Sequence, residues 1–502
     1  MSVRTAGRGR RAAPPVAMVL GMVLGAAAAP SSVGIATAAT AYPTVSAISQ
    51  ADKAQGAKAH PDLLAEFGGA VSGPQAAYVE QVGKNIAVQS GLSNAKGDFT
   101  VTLLNSSVNN AFAIPGGYIY VTRQLTALMN NEAELAGVLG HEVGHVAARH
   151  SAKRKQAANR NQILGVLGSI LSGVLLGDSA LGQLGQQVAS QGTQMLTLQY
   201  SRTQELEADR LGVTYLKRAG YDPRAMATVL ESLARQNALE AQLNGSSARV
   251  PEWASTHPDP ASRVRDAQAL AGTAPSGTTN RDVFLARVDG LVYGDDPHQG
   301  VIDGVRFTHP DLKLTFEVPA GFYMVNGTQS VSISGQSGKA QFGGGRIGAS
   351  LESYIDGVFA GLTEKGQAQI RPDGVERATV NGLSAAYGVA RVQVSSGQVE
   401  VAVFAYDFGG GNAYHFLAMT RVGGVGAFNP MFRSMRRLSA AEAGQVRPRV
   451  LRVVTVKAGD TSQSLAARMA YPDGRLERFL VLNGLQAGDR LAAGQKVKIV
   501  TY

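Results

Sequence analysis

No cysteine occurs anywhere in the 502 residues. That excludes disulfides, thiolate metal sites, a cysteine nucleophile and lipid attachment through an N-terminal cysteine. Histidine is scarce, with eight in the whole chain, and tryptophan appears once. Charged residues make up only 17%, against 44% hydrophobic, so core material is ample and a length of 502 suggests about three domains. There is no nucleic-acid motif beside the scattered basic residues, and no nucleic-acid partner is expected.

What is present begins with a leader. Arg4, Arg8, Arg10 and Arg11 form a basic start, and VAMVLGMVLGAAAA (16–29) is apolar but too short to span a membrane comfortably. A-x-A sites follow at Ala36-Thr37-Ala38 and Ala39-Thr40-Ala41. Residues 1–41 therefore read as a cleaved export signal in preference to an uncleaved membrane anchor. The adjacent Arg10 and Arg11 leave the Sec and twin-arginine routes both open. An exported chain without disulfides fits the periplasm or another part of a bacterial envelope. Of the formal net charge of +10, four charges lie in the leader, leaving about +6 on the remainder as general surface character.

Three textures follow the leader. Residues 42–272 show helical periodicity with one strand-like interruption, and end at the linker AGTAPSGTTN (271–280). Residues 282–440 turn to short alternating runs: LKLTFEVPAGFYMV (312–325), QVEVAVFAYDF (398–408) and NAYHFLAMTRV (412–422). After AAEAGQVRPR (440–449) comes a compact tail, 450–502. The expected fold is a mainly α domain with a small edge-strand sheet, then an α+β or β-rich domain, then a small βααβ unit.

The chemistry is concentrated in HEVGHVAARH (141–150). On a helix begun by Asn131 and a capping-box Glu134, His141 and His145 stand one turn apart on one face. Both imidazoles can reach one ion, and Glu142 can hold the attacking water. Gly140 and Gly144 each lower helix propensity by about 1 kcal/mol against alanine, and would let another helix approach closely. A catalytic zinc site needs a third protein ligand and an open position. The best candidate lies in YSRTQELEADRLG (200–212): Glu205, Ala208, Asp209 and Gly212 share one helical face, small enough at Ala208 and Gly212 to pack on the first helix. Glu205 can ligate, and Asp209 can bond a ligand histidine's second nitrogen. Glu207 points away, toward solvent or a basic residue. One Zn2+ per chain is the expected cofactor.

HEVGH with SRTQELEADRLG some sixty residues later resembles the zinc metallopeptidase family of the CAAX prenyl proteases and the heat-shock protease HtpX, most closely its exported periplasmic branch. NAFAIPGGYIYVTR (110–123) and WASTHPDPASRV (253–264) extend the resemblance, which covers roughly 45–272. It implies a zincin-type metalloprotease domain with His141, His145 and Glu205 as ligands. In that branch the histidine of T-H-P is implicated in gating the zinc, a role that falls on His257 here. Glu142 is then placed to take a proton from water and pass it to the leaving amine. His257 and Arg202 are both candidates for the oxyanion donor. Arg263 is expected to support the active-site helix and take no part in the chemistry. In NAFAIPGGYIYVTR, the alternating strand YIYV beside a P-G-G turn is expected to be an edge strand that takes an extended substrate, with Asn110, Ala111 and Phe112 as substrate-strand residues.

The tail resembles a LysM module through V-K-x-G-D-T (456–461), LNGL (482–485) and G-Q-K-V-K-I (494–499), which implies binding of peptidoglycan-type glycan or simple packing on the protease. Ser462 stands where an aromatic or leucine is usual. FTHPDLKLTFEVPAGFYMV (307–325) faintly resembles PsbP-type α+β domains, and 282–440 is expected to be a partner or regulatory module. Expected partners are unfolded or misassembled envelope proteins as substrates and the outer-membrane assembly machinery. ILGVLGSILSGVLLG (163–177) is expected to form a lid, with peripheral membrane contact the alternative. The rival to a protease is an autoinhibited zinc protein acting as a chaperone-like or peptidoglycan-binding module.

Overall fold

The computed structural model describes residues 45–153, 200–244, 257, 260–362, 369–394 and 397–502. The leader at 1–41 and the segment 163–177 lie outside the described residues. Among these no helix is long and apolar enough to cross a membrane.

The first region opens with α1 (Gln50–Glu66) and α2 (Pro74–Ala87), then β1 (Thr100–Leu104), β2 (Ala111–Ile114) and β3 (Tyr118–Thr122). Gly116 and Gly117, at φ of 95° and 86°, supply the left-handed turn between β2 and β3. The sheet order is β1-β3-β2. YIYV is therefore the central strand, parallel to β1 and antiparallel to β2. This corrects the sequence reading: among the described residues the open edge is that of β2, since Gly69 and Val71 bond alongside β1. Among the described residues the rest of the region is helical: α3 (Arg123–Leu128), α4 (Glu132–Ala147), α5 (Arg202–Arg218), α6 (Ala225–Asn244) and α7 (Pro260–Ala271). The core runs through Leu135, Val138 and Leu139 of α4, Leu216 of α5 and Leu230 of α6, all nearly inaccessible.

After α8 (Arg281–Val288) comes β4 (Val292–Tyr293), then β5 (Val301–Asp303), β6 (Arg306–His309), β7 (Leu314–Glu317), β8 (Phe322–Asn326), β9 (Val331–Gly335) and β10 (Gly338–Arg346). Next are α9 (Leu351–Ala360), β11 (Val375–Val380), β12 (Leu383–Val394), β13 (Gly397–Asp407), β14 (Asn412–Arg421), α10 (Asn429–Ser434) and β15 (Arg436–Arg437). Seven strands in the order β11-β12-β13-β14-β10-β9-β8 form one sheet, and β15-β7-β6-β5 form another. Phe307, Phe316, Phe342 and Phe416 fill the space between them, where alternating aromatics present one buried face.

The tail contains α11 (Ala440–Gln445), β16 (Arg449–Thr455), α12 (Ser462–Ala466), α13 (Arg475–Leu482) and β17 (Lys496–Thr501), the βααβ order expected. Its sheet gains a third strand from outside the tail, because β4 pairs with β16. Its core joins that of the first region through Leu451, Phe479, Leu482 and Ile499. Lys498 is fully buried and donates to the carbonyls of Ala127, Leu128 and Met129 at 2.8, 3.2 and 2.5 Å. A lysine thus closes the C-terminal end of α3, where backbone acceptors lack helical donors. Burial lowers the Lys498 pKa, and the nearby Glu134 carboxylate opposes that shift.

Candidate metal centre

The direction of the α4 histidines is set at the start of the helix. Asn131 accepts from the Glu134 amide at 2.9 Å, as an N-cap does. Glu134 returns the bond to the Asn130 amide at 2.7 Å and to the Asn131 carboxamide at 3.0 Å, one residue further back than a simple capping box. Glu132 accepts from Tyr78, Tyr221 and Asn280 at 2.6, 2.7 and 2.9 Å. Two acids in the first turn also suit the positive end of the helix dipole.

Helices α4 and α5 cross almost backbone to backbone. A Cβ added to Gly144 would stand 3.2 Å from the Ala208 carbonyl, and one on Gly212 3.2 Å from the His141 amide. The small-residue face anticipated at Ala208 and Gly212 therefore meets α4. The approach brings Glu205, fully buried, to the two histidines.

His141 Nε2 and His145 Nε2 lie 3.0 Å apart. Glu205 places one oxygen 3.4 Å from His145 Nε2 and the other 3.6 Å from His141 Nε2. His257 Nδ1 completes the group, 3.4 Å from His141 Nε2 and 3.0 Å from a Glu205 oxygen. All four residues are buried, with their ligand atoms within 4.8 Å of one another. Tetrahedral zinc with bonds of about 2.0–2.1 Å separates its donors by roughly 3.4 Å. The observed spacings suit that ion. Beside them one buried Glu142 oxygen has no hydrogen-bond donor, and His257 Nε2 stands 3.6 Å from it. Imidazole and carboxylate donors around an unmet acceptor fit a zinc ion and its water.

The two carboxylates are driven apart electrostatically. Burial pushes Glu142 well above the ordinary carboxylate range, and the neighbouring Glu205 adds to this. Burial opposes ionisation of Glu205 as well, yet His257, His145 and Arg263 hold it far below that range. Glu205 is thus the anion suited to ligation, and Glu142 the group suited to carry a proton. Burial lowers His145 and His257, favouring the neutral imidazole that ligates metals.

Around this group lies a set of orienting contacts. Asp209 accepts from His141 Nδ1 at 2.9 Å, which leaves the Nε2 lone pair facing the other ligands. Arg263 holds Asp209 through two bonds of 2.8 and 2.6 Å and also contacts Glu205. Arg202 is not brought into the group: it is exposed at the first position of α5, while Arg263 reaches the carboxylates from α7. Asn110, Ala111 and Phe112 are buried at the start of β2. The Phe112 ring packs against Tyr120 and Phe67.

Two residues escaped the sequence reading. His150 Nδ1 lies 2.9 Å from His145 Nδ1, and its Nε2 lies 3.0 Å from Glu207. Glu207 therefore does not simply face solvent or a basic residue; it holds a fully buried histidine. With His145 Nε2 aimed at the ligands, one proton order satisfies the chain: His145 Nδ1–H donates to His150, and His150 Nε2–H donates to Glu207. A continuous helix would carry residue 150 about 140° away from residue 145. The helix instead ends at Ala147, and Arg149 at φ 55° turns the chain back. Tyr200 stacks on His145, ring centroids 3.7 Å apart.

Comparison with known proteins agrees with this geometry. Residues 74–271 match the family model for peptidase family M48, and 454–500 match the LysM domain. The beta-barrel assembly-enhancing protease of Escherichia coli O157:H7 is 36% identical over 197 residues, 39% of this chain and 38% of its own length. The mitochondrial metalloendopeptidase OMA1 of Schizosaccharomyces pombe is 33% identical over 220 residues, 43% of this chain and 59% of its own. The chain thus spans 38% and 59% of the length of these two relatives, less than two thirds of either. A solution structure of cyanobacterial PsbP from Synechocystis covers 28% of this chain and 98% of its own, at 14% identity and a TM-score of 0.22. That similarity is too low to bear on function.

Proposed function

We propose that this chain, with its M48 peptidase domain and C-terminal LysM domain, is a zinc-dependent metalloendopeptidase of the bacterial envelope. Its substrates are misfolded or unassembled envelope proteins. The observation that carries the reading is the buried set His141, His145 and Glu205 beside a Glu142 oxygen with no donor. Zinc bound by that set supplies Lewis-acid polarisation of a peptide carbonyl and of the attacking water.

The residues do the rest. Glu142 accepts the water's proton and delivers it to the leaving amine, a task suited to a carboxylate whose affinity for protons is raised by burial. Asp209 and Arg263 fix the His141 ring, and His150 with Glu207 fixes that of His145. The free edge of β2 aligns an extended chain by main-chain bonds, which tolerates many sequences. In this reading His257, which lies beside His141 and Glu205, would help hold the ion in the resting state and would face the developing oxyanion once substrate is bound. Export to the periplasm, contact with the outer-membrane assembly machinery and peptidoglycan binding through 450–502 belong to the same proposal.

The position of His257 also favours a second reading, in which the site stays shut and the protein works as a chaperone-like or glycan-binding module. Zinc content and casein cleavage by the purified protein separate the two. About one zinc per chain, with cleavage abolished in Glu142→Gln, supports the protease. Zinc without cleavage in the unaltered protein, with cleavage appearing in His257→Ala, supports the shut module. Folded protein that takes up no zinc overturns both.

A further inference from the structure

A cavity of about 350 Å³ lies where the three regions of the chain meet. Val108 and Asn109 form one wall, immediately before Asn110 and the edge strand β2. Gln236, Glu240 and Leu243 of α6 form a second, Tyr323, Met324 and Val325 of β8 a third, and Tyr471 and Arg478 of the tail close it. The volume falls in the range of a ligand site.

The cavity is framed before any ligand arrives. Asn105 bonds Asp296 at 2.7 Å, Ser107 bonds Asp295 at 3.0 Å, and Gly294 donates to Gln124 at 2.9 Å. Arg123, buried under the same junction, donates to the carbonyls of Val292 and Gly294 at 3.1 and 2.6 Å. Asn326 ties the end of β8 to the carbonyls of Gln299 and Gly300 at 3.1 and 2.7 Å.

The β8 wall identifies the occupant. Side chains of a strand alternate between faces, so one face would contribute every second residue. Four consecutive residues, Tyr323 to Asn326, line the cavity, which therefore runs along the edge of the strand. That edge is open: β8 pairs with β9 on one side and, among the described residues, with no strand on the other. A free strand edge offers unpaired amides and carbonyls to an extended chain. The open edge of β8 thus lines the cavity, and the opposite wall at Val108 and Asn109 leads within two residues of chain into β2. Its tyrosines, Met324, Val325 and Leu243 stand beside amides and the charged Glu240, Asp295 and Arg478, which suits an aromatic side chain with a polar tip carried on a polypeptide backbone.

We propose that this cavity is a second docking station for the polypeptide substrate, binding a segment several residues from the scissile bond and accepting an aromatic side chain between Tyr323 and Tyr471. The proposal rests on the protease reading and adds a substrate preference to it. The β-rich region and the tail then take part in substrate selection.

Two variants test it in the full-length protein. Tyr323→Ala removes part of a wall, and Gln236→Trp fills the cavity from a helix without altering the zinc ligands. Binding is read in the Glu142→Gln background with fluorescein-labelled peptides: a long one carrying a tyrosine distant from the cleavage site, the same peptide with glycine there, and a short one confined to the β2 edge. Cleavage of unlabelled peptides by the unaltered and variant proteins gives KM and kcat. Expected are a roughly 10-fold weaker Kd and higher KM for the long tyrosine peptide in both variants, with kcat and the short peptide unchanged. Equal affinity for the tyrosine and glycine peptides, or variants without effect on either, overturns the docking station. N-acetylglucosamine oligomers that bind in a Tyr323-dependent way while peptides do not would overturn it in favour of a saccharide site. Peptide bound with the expected preference but never cleaved would sink the protease reading and leave the docking station standing.

Discussion

The two ends of α4 both carry buried charge, and they are assembled on opposite rules. At the N-terminal end donors meet acceptors. Lys498 serves three carbonyls, Glu132 accepts from two tyrosines and an asparagine, and Glu134 is bonded by Asn130, Asn131 and Thr228. At the other end like groups face each other. Three imidazoles and the Glu205 carboxylate converge at 3.0–3.6 Å, beside a Glu142 oxygen with no donor. The first arrangement satisfies itself and needs nothing further. The second is expensive without a cation, because buried acceptors and lone pairs are left facing one another. Self-satisfied charge marks architecture, and crowded ligand atoms mark a site.

Changing one residue at each end breaks the comparison most sharply. Glu142→Gln should lower peptide hydrolysis by about 10³-fold while zinc content stays at the unaltered level. Matched activity and metal assays check this, and a variant that still cuts at near-normal rate removes Glu142 from proton transfer. Lys498→Met should do the reverse: zinc uptake by folded protein remains, and stability drops by about 3 kcal/mol as the α3 carbonyls lose their donor. Urea unfolding followed by circular dichroism measures that loss. If Lys498→Met instead emptied the metal site while leaving the unfolding midpoint alone, the division between the two ends would be wrong.

A smaller effect is expected one layer out from the ligands. His150→Phe keeps a ring but removes the acceptor for His145 Nδ1–H, so the ligand loses the contact that orients it. Zinc affinity should fall 10- to 100-fold, read by competition with a chromophoric chelator. Glu207→Gln, which retains a hydrogen-bond acceptor, should fall at the low end of that range. No change in either variant would reduce the Glu207–His150 pair to packing.

These elements differ in how far the sequence discloses them. His141 and His145 sit at helical spacing, and Glu205, Asp209 and the small Ala208 and Gly212 share a helix face, so local periodicity alone proposes the site. Where the chain leaves its regular path the pattern fails. His150 depends on a left-handed Arg149, the free edge depends on which neighbour β3 acquires, and Lys498 meets α3 across 369–371 residues of sequence. On sequence Arg202 stands with His257 as a candidate oxyanion donor, and Arg263 only as a support for the active-site helix. It takes the packing of α7 against α5 to show that Arg263 reaches Asp209 and Glu205 while Arg202 stays exposed. The βααβ tail was legible from its pattern, but the strand lent to it by β4 was not, since two residues carry no periodicity.

The finest test compares two glycines on α4 itself. Alanine at Gly137 would place its Cβ 3.6 Å from Leu216 and 3.8 Å from Met226, ordinary contact distances. Replacing it should therefore recover helix propensity and stabilise the fold by up to about 1 kcal/mol. Alanine at Gly144 would stand 3.2 Å from both the Ala208 carbonyl and Leu211 Cβ, where α5 backbone has to yield. There the propensity gain should be offset, and the displacement should reach Glu205, weakening zinc binding several-fold. Paired urea unfolding and zinc competition read both quantities on the same samples. Were Gly144→Ala to stabilise the protein with zinc affinity intact, the close helix approach would not be what delivers Glu205 to the histidines.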